Sequence, residues 1–222
     1  MLSLTRHGPV RLLTMQSGEN RFNRAFVEAL NGALDEVEGS GGPAALVTVG
    51  EDKFYSNGLD LTWLTGEGAA EGPAFVGRFL ALIGRFLALP LPTVAAINGH
   101  AYAGGGMFAL AHDFRVMRAD RGFFCLPEVD IGIPFAPGLR TLIQMKLDPS
   151  VSRDLMLTGR RLGGTDAAAL RVIDETADAD TLLARAIARA ESLATKDRAT
   201  YGTIKRGMYE SAIRLLEAGA IT

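Results

Sequence analysis

Three consecutive glycines, in Ala103-Gly104-Gly105-Gly106-Met107, stand between a run that reads as a buried strand (Thr93 to Ile97) and one that reads as a helix (Met107 to His112). Glycine weakens the interior of either element, so such a cluster belongs where the chain turns sharply or lies against something else. A helix that starts there presents unpaired N–H groups and the positive end of its dipole. A second turn of this kind lies in Phe54-Tyr55-Ser56-Asn57-Gly58-Leu59-Asp60-Leu61, where a strand ends at a glycine and a short helix begins. Each turn also has a plain explanation: a tight turn capped by Asp60 in one case, close packing of a helix on a sheet in the other. A dinucleotide fingerprint does not fit, because the glycine spacing is wrong and the position late; a phosphate loop with Gly-Lys-Ser/Thr is absent.

The rest of the chain alternates in the same way. Ser3 to Arg6 and Val10 to Met15 read as a hairpin around His7-Gly8-Pro9. Arg21 to Val37 has helical spacing of Phe22, Ala25, Phe26, Ala29, Leu30, Ala33 and Leu34, stopped by Gly39-Ser40-Gly41-Gly42-Pro43. Ala44 to Val49 and Phe114 to Met117 read as strands, and Pro73 to Leu89 as a helix ended by Pro90 and Pro92. From Ala136 onward helices are expected at Leu139 to Lys146, Val151 to Leu157, Thr165 to Leu170, Thr181 to Thr195 and Asp197 to Leu216. Strand–helix alternation followed by helices gives an α/β core over residues 1–150. A helical C-terminal region over 151–222 is either part of the same domain or a trimerisation appendage.

Composition bounds the function. A formal net charge of -2 provides no strong field for nucleic acid or an anionic membrane. The single cysteine, Cys125, rules out a disulfide-stapled secreted domain. Met1 to His7 lacks a signal peptide's apolar core, the apolar stretch Phe79 to Leu91 is broken by Gly84, Arg85 and Pro90, and Ala220-Ile221-Thr222 matches no retention or peroxisomal signal. A soluble cytoplasmic protein is expected. No spacing of His, Cys, Asp and Glu suggests a metal site.

One carboxylate stands out. In Cys125-Leu126-Pro127-Glu128-Val129-Asp130-Ile131-Gly132-Ile133-Pro134, Glu128 sits in an apolar segment, and partial burial would raise its pKa toward the range of a useful base. By itself it also reads as a surface glutamate. The order Ser56-Asn57-Gly58-Leu59-Asp60, Asn98-Gly99-His100 with Ala103 to Gly106, then Pro127-Glu128 with Ile131-Gly132, resembles the enoyl-coenzyme A hydratase/isomerase (crotonase) family over most of the chain. The resemblance implies a spiral of strand–strand–helix units with a helical C-terminal region. It also implies homotrimers or dimers of trimers and an acyl-coenzyme A substrate, with coenzyme A part of the substrate and no separate cofactor. It gives the backbone N–H groups of Leu59 and Gly105 as an oxyanion hole, each such donor worth roughly 3–4 kcal/mol. Glu128 is then the base. Ser56, Gly58, Asp60, Gly104 and Phe108 fall on the substrate side, with Asp60 anchoring its turn, and Arg21 and Phe22 fall near the coenzyme A-binding loop. At 222 residues the chain is short for this family, and its C-terminal helices are the part expected to be trimmed.

Hydratases of the family carry a second glutamate two residues after the glycine turn, where this chain has Phe108. The pattern therefore resembles the single-glutamate Δ3,Δ2-enoyl-coenzyme A isomerases. In that reading Glu128 moves one proton and Phe108 keeps the site dry. Hydration, thioester hydrolysis, decarboxylation and a non-catalytic acyl-coenzyme A-binding subunit remain as alternatives, since one fold serves them all. His100 is read as making a structural hydrogen bond, His112 as a cap or surface residue, and Asp130, Arg115, Arg118 and Arg121 as solvated. Trp63, Phe75, Phe79 and Phe86 are read as core or acyl-tunnel residues.

Overall fold

A computed structural model describes residues 2–219; Met1 and Ala220 to Thr222, part of the segments read for targeting signals, lie outside the described residues. The hairpin forms as expected from β1 (Leu2–His7) and β2 (Val10–Met15), antiparallel from Leu2↔Met15 to His7↔Val10. Gly8 takes the left-handed backbone (φ +59°) that a two-residue hairpin turn requires. Helix α1 (Arg24–Gly39) then crosses to β3 (Ala45–Val49), which pairs parallel with β2.

From β3 onward each unit gives one strand to each of two sheets. β3 is followed by β4 (Phe54–Ser56) and helices α2 (Leu61–Thr65) and α3 (Gly72–Ala88). Next come β5 (Thr93–Ile97), β6 (His100–Tyr102) and α4 (Gly104–Ala111), then β7 (Phe114–Arg118), β8 (Phe124–Cys125) and α5 (Pro137–Lys146). The larger sheet runs β1-β2-β3-β5-β7-β9 and the smaller, wholly parallel one β4-β6-β8. This is the expected spiral of strand–strand–helix units. Two details differ. The glycine turn begins as strand β6, and its helix starts at Gly104 rather than Met107. The region read as purely helical contributes β9 (Glu175–Ala177), parallel to β7.

Residues 151–219 are therefore woven into the core. They contain most of α6 (Pro149–Thr158), then α7 (Gly164–Ala169), β9, α8 (Leu182–Leu193) and α9 (Arg198–Glu217). Ala45, Val47 and Val49 of β3 turn one face to α8, and Leu46 turns the other to the main core, the two-residue period of a strand covered on both sides. Ala186, Ala190 and Ala194, four apart, let α8 and the residues just after it lie close on that sheet. α9 packs on α3 and α5. Leu216 is the contact: a Cβ on Gly138 of α5 would stand 2.8 Å from its Cγ, and one on Gly84 of α3 3.2 Å from its Cβ. A buried ion pair, Lys205 Nζ to Asp113 Oδ1 at 3.0 Å, ties the same helix to the end of β5, where Thr93 N–H donates to Asp113 Oδ2 at 2.9 Å.

Candidate active site

The small sheet assembles the site. β4, β6 and β8 are adjacent and parallel, so the segments leaving their C-terminal ends lie side by side. Those segments are Asn57-Gly58-Leu59, Ala103-Gly104-Gly105 and Leu126-Pro127-Glu128, the three motifs singled out in the sequence. The carboxyl ends of parallel strands are the usual place for a ligand in α/β proteins.

The first turn is held from behind by residues 19–22. Asn57 N–H donates to Glu19 O (2.9 Å), Phe22 N–H to Gly58 O (2.8 Å) and Asp60 N–H to Phe22 O (2.9 Å). Phe22 thus takes the groups on either side of Leu59, and the alternation of an extended chain turns the Leu59 N–H the other way. Asn57 Nδ2 adds a bond to Glu19 Oε2 (2.8 Å), which holds the Glu19 carboxyl below its ordinary pKa. Beside this turn α4 begins, and its first N–H groups, those of Gly104 and Gly105 among them, have no carbonyl one turn earlier to accept them. Only glycines permit the approach. A Cβ on Gly58 would lie 3.0 Å from Gly104 N, one on Gly104 3.0 Å from Phe79 Cζ, and one on Gly105 would overlap the Ser56 carbonyl. Ala103, just before α4, has a positive φ of 49°, backbone strain of the kind that collects at functional sites. Leu59 and Gly105 thus stand on adjoining turns, Gly105 within the first turn of α4.

Glu128 lines a cavity of about 270 Å³ together with Leu59, Gly104, Met107, Phe79 and Leu139. Its side chain is 6% exposed, and Oε2 is buried without a hydrogen-bond partner among the described residues. Burial is the largest influence on this carboxyl and pushes its pKa up to about 7; a hydrogen bond from its own backbone opposes the rise. The same burial that would make a structural glutamate costly leaves this one half ionised near neutrality, able both to take and to return a proton. Among the described lining residues no other carboxylate faces the cavity.

The remaining sequence-read residues lie where their packing puts them. Gly58 and Gly104 stand at the junction of the two turns. Ser56 is buried, donating from Oγ to Asn20 O (2.7 Å) and accepting the Gly58 N–H (3.3 Å), so it braces the turn and is not among the lining residues. Asp60 caps α2 by accepting the Trp63 N–H (3.0 Å). Phe108 and Phe22, read as substrate-side residues, require correction. Both are fully buried and neither lines the cavity; Phe108 packs against Phe22, Tyr55, Phe86 and His112. In α4, Met107 faces the cavity and Phe108 turns into the core. Arg21 pairs with Glu19 at 2.6 Å beside a separate polar crevice that it shares with Asp60.

Other expectations also shift. His112 caps α4 but is buried, bonded to Thr48 Oγ1 (2.9 Å) and Phe108 O (2.9 Å), and burial lowers its pKa to about 3. Arg115 is buried against Val172 O (2.8 Å) and His112 O (3.1 Å). His100 Nδ1 has no hydrogen-bond partner among the described residues; its ring packs on Phe54, Tyr102 and Phe123. Phe79 lines the cavity, whereas Phe75 and Phe86 pack in the core. Asn20 was missed. It is fully buried with φ +49°, and its Nδ2 donates to Met15 O (3.2 Å) and Tyr55 O (3.1 Å), fastening the bracing segment to β2 and β4. Its signal was an asparagine in Ser17-Gly18-Glu19-Asn20, the type that tolerates a left-handed turn.

Comparison with known proteins agrees with this geometry. The family model described as enoyl-CoA hydratase/isomerase matches residues 6–220. Enoyl-CoA delta isomerase 3 of Arabidopsis thaliana is 36% identical over 99% of this chain and 97% of its own length. Enoyl-CoA delta isomerase 2, peroxisomal, of the same plant is 32% identical over 97% and 95%. Among solved structures, the apo enoyl-CoA isomerase of Mycobacterium tuberculosis superposes with a TM-score of 0.88 at 27% identity, over 98% of this chain and 95% of that one. The chain spans almost the whole length of both plant relatives. The strand-end site, the two-sheet spiral and the match along almost the whole sequence have one explanation: the chain belongs to the enoyl-CoA hydratase/isomerase family.

Proposed function

We propose that this protein is a Δ3,Δ2-enoyl-coenzyme A isomerase. The carrying observation is Glu128: one buried carboxylate with a free oxygen among the described residues, on an apolar cavity that Leu59 and Gly104 also line. The names of the two plant relatives support the same reading. Ionised Glu128 removes a proton from C2 of a 3-enoyl thioester. The C2–H electron pair becomes a C1=C2 double bond and the carbonyl π pair moves onto the thioester oxygen, giving a dienolate conjugated with C3=C4 whose oxyanion Leu59 and Gly105 stabilise. The carboxylic acid then returns the proton to C4, the carbonyl re-forms, and the double bond lies between C2 and C3. Glu128 ends as it began, so no further cofactor is needed; coenzyme A is the substrate's own carrier. Hydration would call for a second group to activate water, and the position that could carry it holds Phe108, inside the core.

The reading includes a homotrimer or dimer of trimers, which light scattering of the purified protein tests, and a cytoplasmic location, which cell fractionation tests. Among the described residues no helix is long and apolar enough to cross a membrane. The activity is tested by following trans-3-hexenoyl-coenzyme A to its 2-enoyl isomer beside the hydration of crotonyl-coenzyme A. Isomerisation without hydration, lost in Glu128→Gln, is expected. Hydration at a comparable rate, or isomerisation that survives the substitution, overturns the assignment.

A further inference from the structure

We propose that the cavity takes a straight, unsubstituted acyl chain of medium length, about six to ten carbons, and that Met107 sets how deep the chain can go. The inference rests on the isomerase reading for its substrate and deepens it.

The cavity has a direction. Leu61, Ile131 and Ile133 are 42%, 48% and 42% exposed and form an apolar mouth; Phe79, Leu80 and Met107 are at most 2% exposed and form the closed end. Its polar side chains, Asn57, Tyr102 and Glu128, follow the ends of β4, β6 and β8 or close β6, at the catalytic side. The closed end offers no hydrogen-bonding side chain, so a hydroxyl or carboxylate on the acyl chain would be buried unpaired there, at a cost of several kcal/mol on the apolar-transfer scale. The cavity holds about 270 Å³, on the order of nine water-sized volumes at roughly 30 Å³ each, which is room for a medium-length chain and not for a long one.

The closed end is rigid except at one position. Phe79 packs against Phe22 with tilted rings, 4.8 Å between centroids, and Phe22 meets Phe108, which meets Phe86 at 4.7 Å, so the rings brace one another. Met107 is unbranched and adjustable among them. It also shares a face of α4 with Gly104, one turn earlier, where the oxyanion hole lies, and both line the cavity. A chain whose thioester is held at that turn therefore meets Met107 as it extends inward.

The test measures kcat/KM on trans-3-enoyl-coenzyme A substrates of six to sixteen carbons, together with dissociation constants of the matching saturated acyl-coenzyme A thioesters by calorimetry. The native protein should prefer six to ten carbons. Met107→Ala should raise the ratio of twelve- to six-carbon activity at least tenfold, and Met107→Phe should lower it by a similar factor. A native optimum at sixteen carbons, or the same profile in all three proteins, overturns the inference; the native profile decides even if a variant does not fold. Calorimetry separates the two readings. Binding that follows Met107 without any isomerisation sinks the isomerase assignment and leaves the depth inference standing, whereas isomerisation with an unmoved profile does the reverse.

Discussion

A methyl group on Gly105 would overlap the carbonyl oxygen of Ser56, so the helix bearing one proposed oxyanion donor rests directly on the strand end that leads to the other. Gly105→Ala should push the two turns apart and cost on the order of a hundredfold in kcat/KM, the size expected when one such donor is displaced. Steady-state kinetics with circular dichroism to verify folding checks this. Unchanged kinetics in a folded variant would mean that the spacing of the turns is irrelevant to catalysis.

Glu128 must be ionised to take the first proton. With its pKa near 7 in the free protein, kcat/KM should be level at high pH and fall tenfold per unit below about pH 7. Substrate expels more water from the carboxyl, so the inflection in kcat should lie higher than that in kcat/KM. A profile that stays level down to pH 5 contradicts the assignment.

The same shift makes a stability prediction. Folding raises the Glu128 pKa from 4.5 to about 7. The folded state therefore favours the protonated form, and the resulting stability is present below pH 4.5 and lost as pH rises through 7. Glu128→Gln removes this dependence. Relative to the native protein it should gain up to about 3 kcal/mol between pH 4.5 and 8, read from denaturant unfolding at each pH. A difference that does not grow with pH contradicts the burial account.

Restoring a glutamate at position 108 should fail to make a hydratase. The ring it replaces is sealed among Phe22, Tyr55, Phe86 and His112, away from the cavity. Phe108→Glu loses that packing and buries an acid among rings, which should cost about 4 kcal/mol or more. Crotonyl-coenzyme A hydration by a stably folded variant would show that this side chain reaches the site after all.

Lys205 and Asp113 lie 3.0 Å apart with side chains 4% and 9% exposed. Lys205→Met leaves a buried aspartate hydrogen-bonded, among the described residues, to Thr93 and Tyr201 and without its ion-pair partner, and should cost about 3 kcal/mol. Adding Asp113→Asn should recover part of the loss. A double variant no more stable than the single one would contradict the pairing.

The chemistry of the site was written in short local motifs, and so was legible. Gly58, Gly104 and Gly105 announce close backbone approach, and Glu128 stands alone among apolar neighbours. The long strands and helices were legible from their periods. The strands β6, β8 and β9 were not, because two or three residues carry no period. Burial of polar residues was also hidden, since His112 and Arg115 are satisfied by Thr48, Phe108 and Val172, which are distant or unremarkable in sequence. Which of Met107 and Phe108 faces the cavity depends on how α4 packs against the rest of the fold; α4 is buried all along its length, so no polar face marks its orientation.

Both proposed oxyanion donors belong to the main chain. A side-chain exchange can crowd or tilt them but cannot delete them, because every residue except proline carries the same N–H. Substitutions at Glu128, Met107 or Tyr102 can therefore change what is done to the thioester while its anchorage stays in place. Inheritance of the scaffold and invention of the reaction are, in this fold, carried by different atoms.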